Sequence, residues 1–270
     1  MFSFKKLLEE KNRPLVMGIL NITPDSFSDG GKYFSFESII EGFNMFQEQG
    51  ADIIDIGACS TAPCNELASE ADELQRLAVL PELMKYARVP VSIDTFRPAV
   101  AKYALECGVS IVNDESGEFS REMAELVKSY SAGWIVMHTG GGSSSEALKY
   151  ADGVTADVLT FFGEMREKVV SFGIDEECLC YDFGIGFGKS RDADRELLKN
   201  CARISSEFRL LAGASRKRII GEITGEEKPE NRIAGSVTAA GIMAFQGVSI
   251  IRAHDVSETV DAVKIAVALR

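Results

Sequence analysis

The sequence predicts an α/β protein that folds as a single (β/α)8 TIM barrel, and three observations lead to this class. Short apolar runs alternate along the chain with polar loops and amphipathic stretches, as strands alternate with helices around a parallel sheet. Eight such units fit into 270 residues, which is an ordinary length for a closed barrel. Most of the apolar runs also end at a polar, ligand-type side chain, as barrel strands that carry an active site do.

Each predicted strand is a short apolar run, suited to burial on both faces of a parallel sheet. The eight predicted strands are residues 15–20, 53–56, 91–93, 110–112, 134–137, 179–181, 209–212 and 249–251. The first strand is followed by a long polar connection, residues 21–34, although two to six residues suffice for an ordinary βα loop. In a barrel this connection would be a long loop over the mouth of a site.

Helices are indicated where apolar residues recur at helical spacing. After the long loop these residues are Phe36, Ile39, Ile40 and Phe43. Gly50 then marks the C-terminal end of that helix. Pro98 suits the first turn of another helix, which would run to residue 107. The last helix carries a valine stripe that we expect to face the barrel, and Ser257 is its predicted N-cap. The stripe consists of Val256, Val260, Val263 and Val267.

An open, doubly wound sheet is the alternative for a chain with this alternation. Its usual dinucleotide fingerprint, G-x-G-x-x-G, does not follow the first predicted strand, which weakens that alternative. The stretch HTGGGSSSE at residues 138–146 looks flexible, but apolar segments continue on both sides of it. We therefore expect one domain over residues 1–270.

The composition excludes several classes of protein. A net charge of −12 argues against a broad nucleic-acid-binding surface and against attachment to an anionic membrane. No apolar stretch approaches the length of a membrane span, and the N-terminal residues have no apolar run long enough for a signal peptide. The six cysteines form no C-x-x-C pair and there are only two histidines, so a structural zinc site is not indicated. Scattered reduced thiols predict a cytoplasmic protein.

Polar residues follow most of the predicted strands. They are Asn21, Asp94, Asn113, His138, Asp182 and, at the last strand, Arg252 with His254, while Gly57 and Gly213 follow the other two strands. A single Asn or Asp at such a position is often only a turn former or a helix cap. Because all strand ends of a barrel point to one face, we expect these side chains to meet there.

The composition of this set indicates the kind of ligand. Asp94, Asp182 and Asn113 suit a flat heterocycle that carries an amino group and ring N–H groups. The rim adds cations that suit a phosphorylated arm, namely Arg216, Lys217, Arg252 and a protonated His254. Ser60, Ser215 and Cys59 have no evident histidine partner in the sequence, although spatial pairing remains open. Catalysis by positioning and by stabilisation of a leaving group is therefore favoured.

Several motifs, taken together and in order, resemble the dihydropteroate synthase family, the folate-pathway enzymes that sulfonamides inhibit. The motifs are MGILNITPDSFSDGG, GADIIDIGACSTAP, VSIDT, VND-x-SG, MH, D-x-GIGFGK, SRK-x-x-IG and R-x-HDV-x-ETV. They extend over nearly the whole chain, from about residue 14 to residue 267. The resemblance implies the same barrel fold, with its core over those residues.

The resemblance also implies a reaction. Enzymes of this family join (7,8-dihydropterin-6-yl)methyl diphosphate to 4-aminobenzoate and release dihydropteroate and diphosphate. Diphosphate would depart first, and the first two βα loops would close over the resulting cation and exclude water. Mg²⁺ would be bound near Asn21, mainly by diphosphate and water. The implied partners are these two small molecules and a second copy of the chain.

By the same resemblance, each substrate group is assigned its own residues. The pterin would contact Asp94, Asn113, Met137, Asp182, Phe187, Gly213 and Lys217. The diphosphate would contact Asn21, Thr61, Arg252 and His254. The 4-aminobenzoate pocket would consist of Phe27, Ser60, Thr61, Pro63 and Ser215. Asp94, Lys217 and Asn21 would act in catalysis. Arg216 should point away from the site and be structural.

The second βα loop departs from the family pattern. The family pattern here is G-G-E-S-T-R-P. This chain has Ala58 and Cys59 where the family has its second glycine and its glutamate, and Ala62 where the family has arginine. That arginine is associated with anion contacts, and losing one charge-assisted contact costs about 1.5–3 kcal/mol. Three functions therefore remain open: the synthase, a pterin-binding paralogue with little turnover, and a pterin-dependent methyltransferase. The intact pterin-side residues favour the synthase.

Overall fold

Eight parallel strands close into a barrel in chain order, and β8 pairs again with β1. The structure, a computed structural model, describes residues 1–22, 36–59, 68–139 and 150–270. The strands are β1 (Leu15–Asn21), β2 (Ile53–Gly57), β3 (Val91–Asp94), β4 (Ile111–Asp114), β5 (Gly133–Met137), β6 (Leu179–Asp182), β7 (Leu210–Ala212) and β8 (Ile250–Ala253). The closed order confirms the (β/α)8 barrel and excludes the open, doubly wound sheet.

Helices follow every strand, and one further helix precedes β1. The α-helices of the described residues are α1 (Phe4–Lys11), α2 (Phe36–Glu48), α3 (Glu70–Arg76), α4 (Leu80–Leu83), α5 (Pro98–Glu106), α6 (Arg121–Tyr130), α7 (Val154–Ser171), α8 (Arg191–Lys199), α9 (Cys201–Ser205), α10 (Arg218–Thr224), α11 (Ile233–Phe245) and α12 (Val256–Ala268). Short 3₁₀ turns lie at Leu77–Val79, Met84–Tyr86, Glu176–Cys178 and Pro229–Arg232. The helices form the outer ring of the barrel.

The predicted strands are all present, and their ends differ from the predictions by at most two residues. Most differences lie at the C-terminal ends, where polar residues continue the ladder. Asn21, Asp94 and Asp182 are the last residues of their strands rather than the first residues of loops. Their backbones are therefore fixed by the sheet while their side chains are presented at its edge.

The predicted N-cap of the last helix is wrong by two residues. The N-cap of α12 is Asp255, and Ser257 lies in the first turn. The Asp255 side chain makes no cap bond, because its carboxylate pairs with Arg216. Arg216 thus competes with the first backbone N–H groups of α12 for the Asp255 carboxylate.

The valine stripe of α12 faces the barrel over most of its length, as predicted. Val256, Val260 and Val263 are buried, but Val267 at the end of the stripe is 40% exposed. The apolar surface that α12 leaves exposed therefore lies near its C-terminal end.

The apolar core has two layers, one inside the barrel and one between the strands and the helices. The inner layer consists of Phe4, Leu15, Met17, Ile53, Ile111, Ile135, Cys180, Leu211 and Ile250. Phe4 belongs to α1, which precedes β1, and it is completely buried. Because apolar side chains fill the interior at that level, the polar strand ends can gather at the opposite face.

No helix within the described residues has both the length and the apolar character needed to cross a bilayer. Five cysteines in this part of the chain have free thiols: Cys59, Cys107, Cys178, Cys180 and Cys201. The cytoplasmic location and the assignment of residues 1–270 to one domain stay predictions.

Candidate active site

The strand register brings polar side chains into one row at the C-terminal end of the barrel. Asn21 pairs with Gly57, Gly57 with Asp94, and Asp94 with Asn113. Asp182 ends β6 on the other side of the barrel and is buried. The predicted meeting of these strand ends at one face is therefore present.

Arg252 crosses the mouth of the barrel and ties this row together. Its Nη2 donates to Asp94 Oδ2 at 2.6 Å, and its Nε donates to Asp55 Oδ2 at 2.7 Å. Asn113 Nδ2 donates to the same Asp55 oxygen at 3.1 Å. Asp55 was not predicted as a site residue, because it lies inside an apolar run rather than after it. A charged residue in the middle of a buried strand was the signal that could have revealed it.

Burial dominates the electrostatics of the site. It raises the pKa of Asp94 well above its ordinary value, although the Arg252 charge opposes that shift. It also raises the pKa of Asp182, where Lys217 provides the largest opposing charge. Burial lowers the pKa of Lys217, which Asp182 in turn opposes. A ligand that donates N–H groups to these carboxylates would offset the cost of keeping them ionised.

The loop after β6 forms one wall of the site. Asp182 Oδ1 accepts the Gly184 N–H at 2.7 Å, so the carboxylate is fixed within its own turn. Lys217 Nζ donates to the Ile185 carbonyl at 2.6 Å and lies 4.7 Å from the centre of the Phe187 ring. Met137 in the strand beside Asp182 is 3% exposed. The structure thus brings Phe187 against Lys217 and Met137 beside Asp182.

A buried lysine that the sequence analysis did not single out supports this loop. Lys189 Nζ donates to the carbonyl oxygens of His138, Gly184 and Phe187 at 2.7, 3.0 and 3.2 Å. Burial lowers the pKa of Lys189 to about 8. The ammonium group joins the end of β5 to the β6 loop, and its role is therefore to hold the wall in place.

His138 does not join the row of strand-end side chains, which corrects the expectation for it. Its Nε2 lies 2.8 Å from Asp157 Oδ2, and its ring meets the edge of Phe161. Both partners belong to α7, so the ring lies toward the helix layer. Burial lowers the pKa of His138 to about 4. The side chain therefore has a packing role in the described structure.

Ser215 and His254 form a pair that the sequence did not reveal. The His254 backbone N–H donates to Ser215 Oγ at 3.2 Å, and Oγ lies 3.1 Å from His254 Nδ1. The Ser215 hydroxyl and the His254 ring thus share one hydrogen bond, whose donor is either Oγ–H or Nδ1–H according to the histidine tautomer. Burial and the charge of Arg252 lower the pKa of His254 to about 4. At neutral pH His254 is therefore expected to be uncharged, so it does not add to the rim the positive charge that it would carry if protonated.

An open cavity of about 320 Å³ lies beside these groups. Its lining consists of Ile19, Gly213, Ser215, Arg216, Lys217, Pro229, Arg252 and His254. The Arg216 side chain is held by Asp255, with Nε 3.1 Å from Oδ2, which agrees with a structural role. Arg216 also lines the cavity, so the expectation that it points away from the site is not confirmed. The cavity is large enough for a small ring, and Lys217 and Arg252 add positive charge to its wall beside Arg216, which is paired with Asp255.

Several predicted contact residues lie outside the described residues. They are Phe27, Ser60, Thr61, Pro63 and the divergent Ala62. Arginines do contact the described flanks of the second βα loop. Arg76 Nη1 donates to the Ala58 carbonyl at 2.7 Å, and Arg97 Nη2 donates to the Ala68 carbonyl at 2.7 Å. The predicted 4-aminobenzoate residue that the structure does describe is Ser215.

Asn21 is the residue predicted to bind the metal ion, and it lies within the described residues. It is half-buried at the end of β1, and its Oδ1 lies 3.2 Å from where a Cβ on Gly57 would stand. The described residues contain no group of three or more His, Cys, Asp or Glu side chains arranged to hold a metal ion. Within the described part of the chain, the predicted metal position therefore has a single amide oxygen as its protein donor.

The matching family model is that of pterin binding enzymes, over residues 17–254. A dihydropteroate synthase of Escherichia coli is 38% identical over 258 residues, which are 94% of this chain and 91% of that protein. Dihydropteroate synthase of Xanthomonas albilineans with 4-aminobenzoic acid is 39% identical, with a TM-score of 0.89 over 96% of this chain and 93% of that one. The same enzyme in complex with 7,8-dihydropteroate is 38% identical, with a TM-score of 0.84 and coverage of 96% and 94%.

These relatives match the chain over almost its entire length, in the same fold, and the matched segment contains the row of polar strand ends described above. The chain belongs to the dihydropteroate synthase family of pterin-binding enzymes.

Proposed function

We propose that the protein makes 7,8-dihydropteroate and diphosphate from (7,8-dihydropterin-6-yl)methyl diphosphate and 4-aminobenzoate. The observation that carries this function is the Arg252 network. It places an arginine, suited to diphosphate, against Asp94 and near Asn113, which suit the N–H groups of a pterin. Both ends of one substrate thus have partners of opposite charge within a single site.

The pterin would bind between the carboxylates and the β6 wall. Asp182 and Asp94 accept N–H groups of the ring, Asn113 supplies an amide, and Lys217 donates to a ring oxygen or nitrogen. Phe187, Met137 and Gly213 pack against the ring. In this arrangement the two carboxylates also face the positive charge that develops on the methylene carbon, and they stabilise it electrostatically.

The diphosphate would leave toward Arg252 and His254. The C–O bond breaks with its electron pair remaining on diphosphate, and the Arg252 guanidinium stabilises the growing negative charge, with the His254 ring beside it. The amine of 4-aminobenzoate then forms the C–N bond to the methylene carbon and loses a proton. Ser215 would lie beside the aminobenzoate, with Phe27, Ser60, Thr61 and Pro63 supplying the rest of that pocket.

Magnesium is part of this proposal. The donor set fits Mg²⁺ bound mainly by diphosphate and water with Asn21 as its protein ligand, because this ion commonly keeps several waters. When bound, the ion would neutralise part of the diphosphate charge. Gly57 leaves Asn21 Oδ1 accessible, since a Cβ there would lie 3.2 Å from that oxygen.

The test is the release of diphosphate from the dihydropterin diphosphate, with and without 4-aminobenzoate. We expect release that depends on 4-aminobenzoate, equals the dihydropteroate formed, and is lost when EDTA removes Mg²⁺. Tight pterin binding without dihydropteroate would instead support the pterin-binding paralogue and overturn the synthase. Turnover that EDTA leaves unchanged would refute the role of Mg²⁺ alone.

We also propose that two copies of the chain associate through α11 and α12. These helices pack against each other and leave large apolar side chains exposed, namely Ile242, Phe245, Ile265, Val267 and Leu269. Large apolar side chains exposed on two neighbouring helices favour an interface at that place. Sedimentation equilibrium should show a dimer, and Ile265→Glu should yield a monomer with an unchanged circular dichroism spectrum. A wild-type monomer at all accessible concentrations would contradict this proposal.

A further inference from the structure

Asp55 lies at the centre of the site but has no assigned role in the reaction. Its side chain is completely buried, and it projects from β2 into the barrel. Its partners Asn113 and Arg252 are on β4 and β8, neither of which neighbours β2 in the barrel. The hydrogen bonds therefore cross the interior, and one carboxylate connects three separate strands.

The first consequence concerns Arg252. Its guanidinium has two carboxylate partners, Asp94 Oδ2 at 2.6 Å and Asp55 Oδ2 at 2.7 Å. Under the proposed function, a pterin that donates N–H groups to Asp94 competes with Arg252 for that oxygen. Asp55 is buried behind the row and is not exposed to ligand, so its bond to Arg252 persists. The N–H group released from Asp94 can then donate to an anion while the bond to Asp55 keeps Arg252 in position.

The second consequence concerns Asn113. A carboxylate only accepts hydrogen bonds, so the atom of Asn113 that faces Asp55 must be the NH₂ group. The amide oxygen is consequently directed away from Asp55. Asp55 thereby fixes the orientation of the Asn113 amide: one N–H is held by Asp55, and the carbonyl oxygen is left to accept a ring N–H.

We propose that Asp55 is a positioning residue that holds Arg252 for the diphosphate group and orients the Asn113 amide for the pterin ring. The inference rests on the proposed function for the identity of the two ligand groups. A single carboxylate oxygen then connects the recognition of the leaving group to the recognition of the ring.

The test is Asp55→Asn, which keeps the shape of the side chain and removes its charge. Two probes are titrated in the complete protein: inorganic diphosphate, and a dihydropterin with a hydroxymethyl group in place of the diphosphate arm. Loss of a charge-assisted bond should raise the Kd of diphosphate about 10- to 100-fold. The neutral bond to Asn113 is weaker, so the Kd of the hydroxymethyl pterin should rise only about 2- to 10-fold.

Asp52→Asn is the matched control. Asp52 is also a buried aspartate beside β2 and also pairs with an arginine, Arg13, at 2.7 Å, but it lies at the opposite end of the strand. This variant should lower the thermal stability and leave both dissociation constants unchanged. A purely structural role for Asp55 would give the same pattern in Asp55→Asn, and unchanged affinities for both probes would overturn the proposal.

A second variant separates the two consequences. Asn113→Leu removes the amide and leaves the Asp55–Arg252 pair intact. It should therefore raise the Kd of the hydroxymethyl pterin and leave the Kd of diphosphate unchanged. If Asn113→Leu raised the Kd of diphosphate as much as that of the hydroxymethyl pterin, the proposal would also be overturned. Both titrations report on Asp55 even if the wild-type protein makes no dihydropteroate, whereas only the turnover assay decides the proposed function.

Discussion

Replacing Arg252 with methionine is expected to lower kcat for dihydropteroate formation by about 10²–10³-fold, as the loss of one preorganised group that stabilises transition-state charge commonly does. The reason is that negative charge grows on diphosphate as the C–O bond breaks, and Arg252 is the buried cation held by Asp55 and Asp94 at that place. Its interaction is stronger in the transition state than with the bound substrate, so kcat should fall more than KM rises.

The same substitution should also destabilise the fold. Removing the arginine leaves Asp55 and Asp94 without their counter-charge, and breaking such a buried pair costs about 3–5 kcal/mol. Arg252→Lys keeps a charge but loses the fork that reaches two carboxylates, so it should remain folded and show a smaller loss of kcat. If this variant is folded and turns over like the wild type, the arginine geometry does not matter for the leaving group.

Arg13→Met is the control for stability alone. Arg13 forms two hydrogen bonds to the buried carboxylate of Asp52, at 2.7 and 3.0 Å, at the N-terminal end of the barrel. The variant should unfold at lower denaturant concentration than the wild type, as Arg252→Met should, yet keep its kcat. Equilibrium unfolding in urea and initial rates on the same preparations separate the two effects.

The strands could be predicted from the sequence because a barrel strand is buried on both faces and therefore reads as a continuous apolar run. Because the strands are parallel, their C-terminal ends meet at one face of the barrel. This gathers Asn21, Asp94, Asn113 and Asp182 at that end, as the sequence predicts. What the run does not give is the face to which an internal polar residue points. Asp55 was missed for this reason.

Asp114 and Asp182 show the same limit at strand ends. Both end a strand, both are buried, and both accept the N–H of the residue two positions on, Ser116 or Gly184. Yet Asp114 also accepts from Trp134 in the outer layer, at 3.3 Å, and so lies on the helix side. The two carboxylates occur in similar sequence patterns. Side chains alternate between the two faces of a strand, and this alternation determines which carboxylate reaches the site.

The pair of Ser215 and His254 could not be predicted for a different reason. The two residues are 39 positions apart, and their hydrogen bonds depend on the conformations of two separate loops. Local pattern carries no information on such a contact. The pKa of His254, lowered to about 4, likewise depends mainly on burial in the fold and then on the charges of Arg252 and Arg216.

Asp182→Asn should weaken the binding of the dihydropterin about 10²–10⁴-fold, because two charge-assisted hydrogen bonds at about 1.5–3 kcal/mol each are lost. The asparagine also turns an NH₂ group toward ring N–H donors, which adds repulsion. Asp114→Asn is the matched control, since it changes the equivalent carboxylate on the opposite face of its strand. It should leave the affinity for the pterin unchanged.

The effect of pH on this binding has a definite sign. Burial raises the pKa of Asp182, so the folded protein takes up a proton at a higher pH than a free aspartate does. At neutral pH the ionised carboxylate of Asp182 therefore does not stabilise the fold. We expect the ionised carboxylate to serve in binding the N–H groups of the ligand. As the pH falls through the raised pKa, pterin affinity should decrease while the fold persists. Affinity that stays constant down to the ordinary pKa of aspartate would show that the ring does not use this carboxylate.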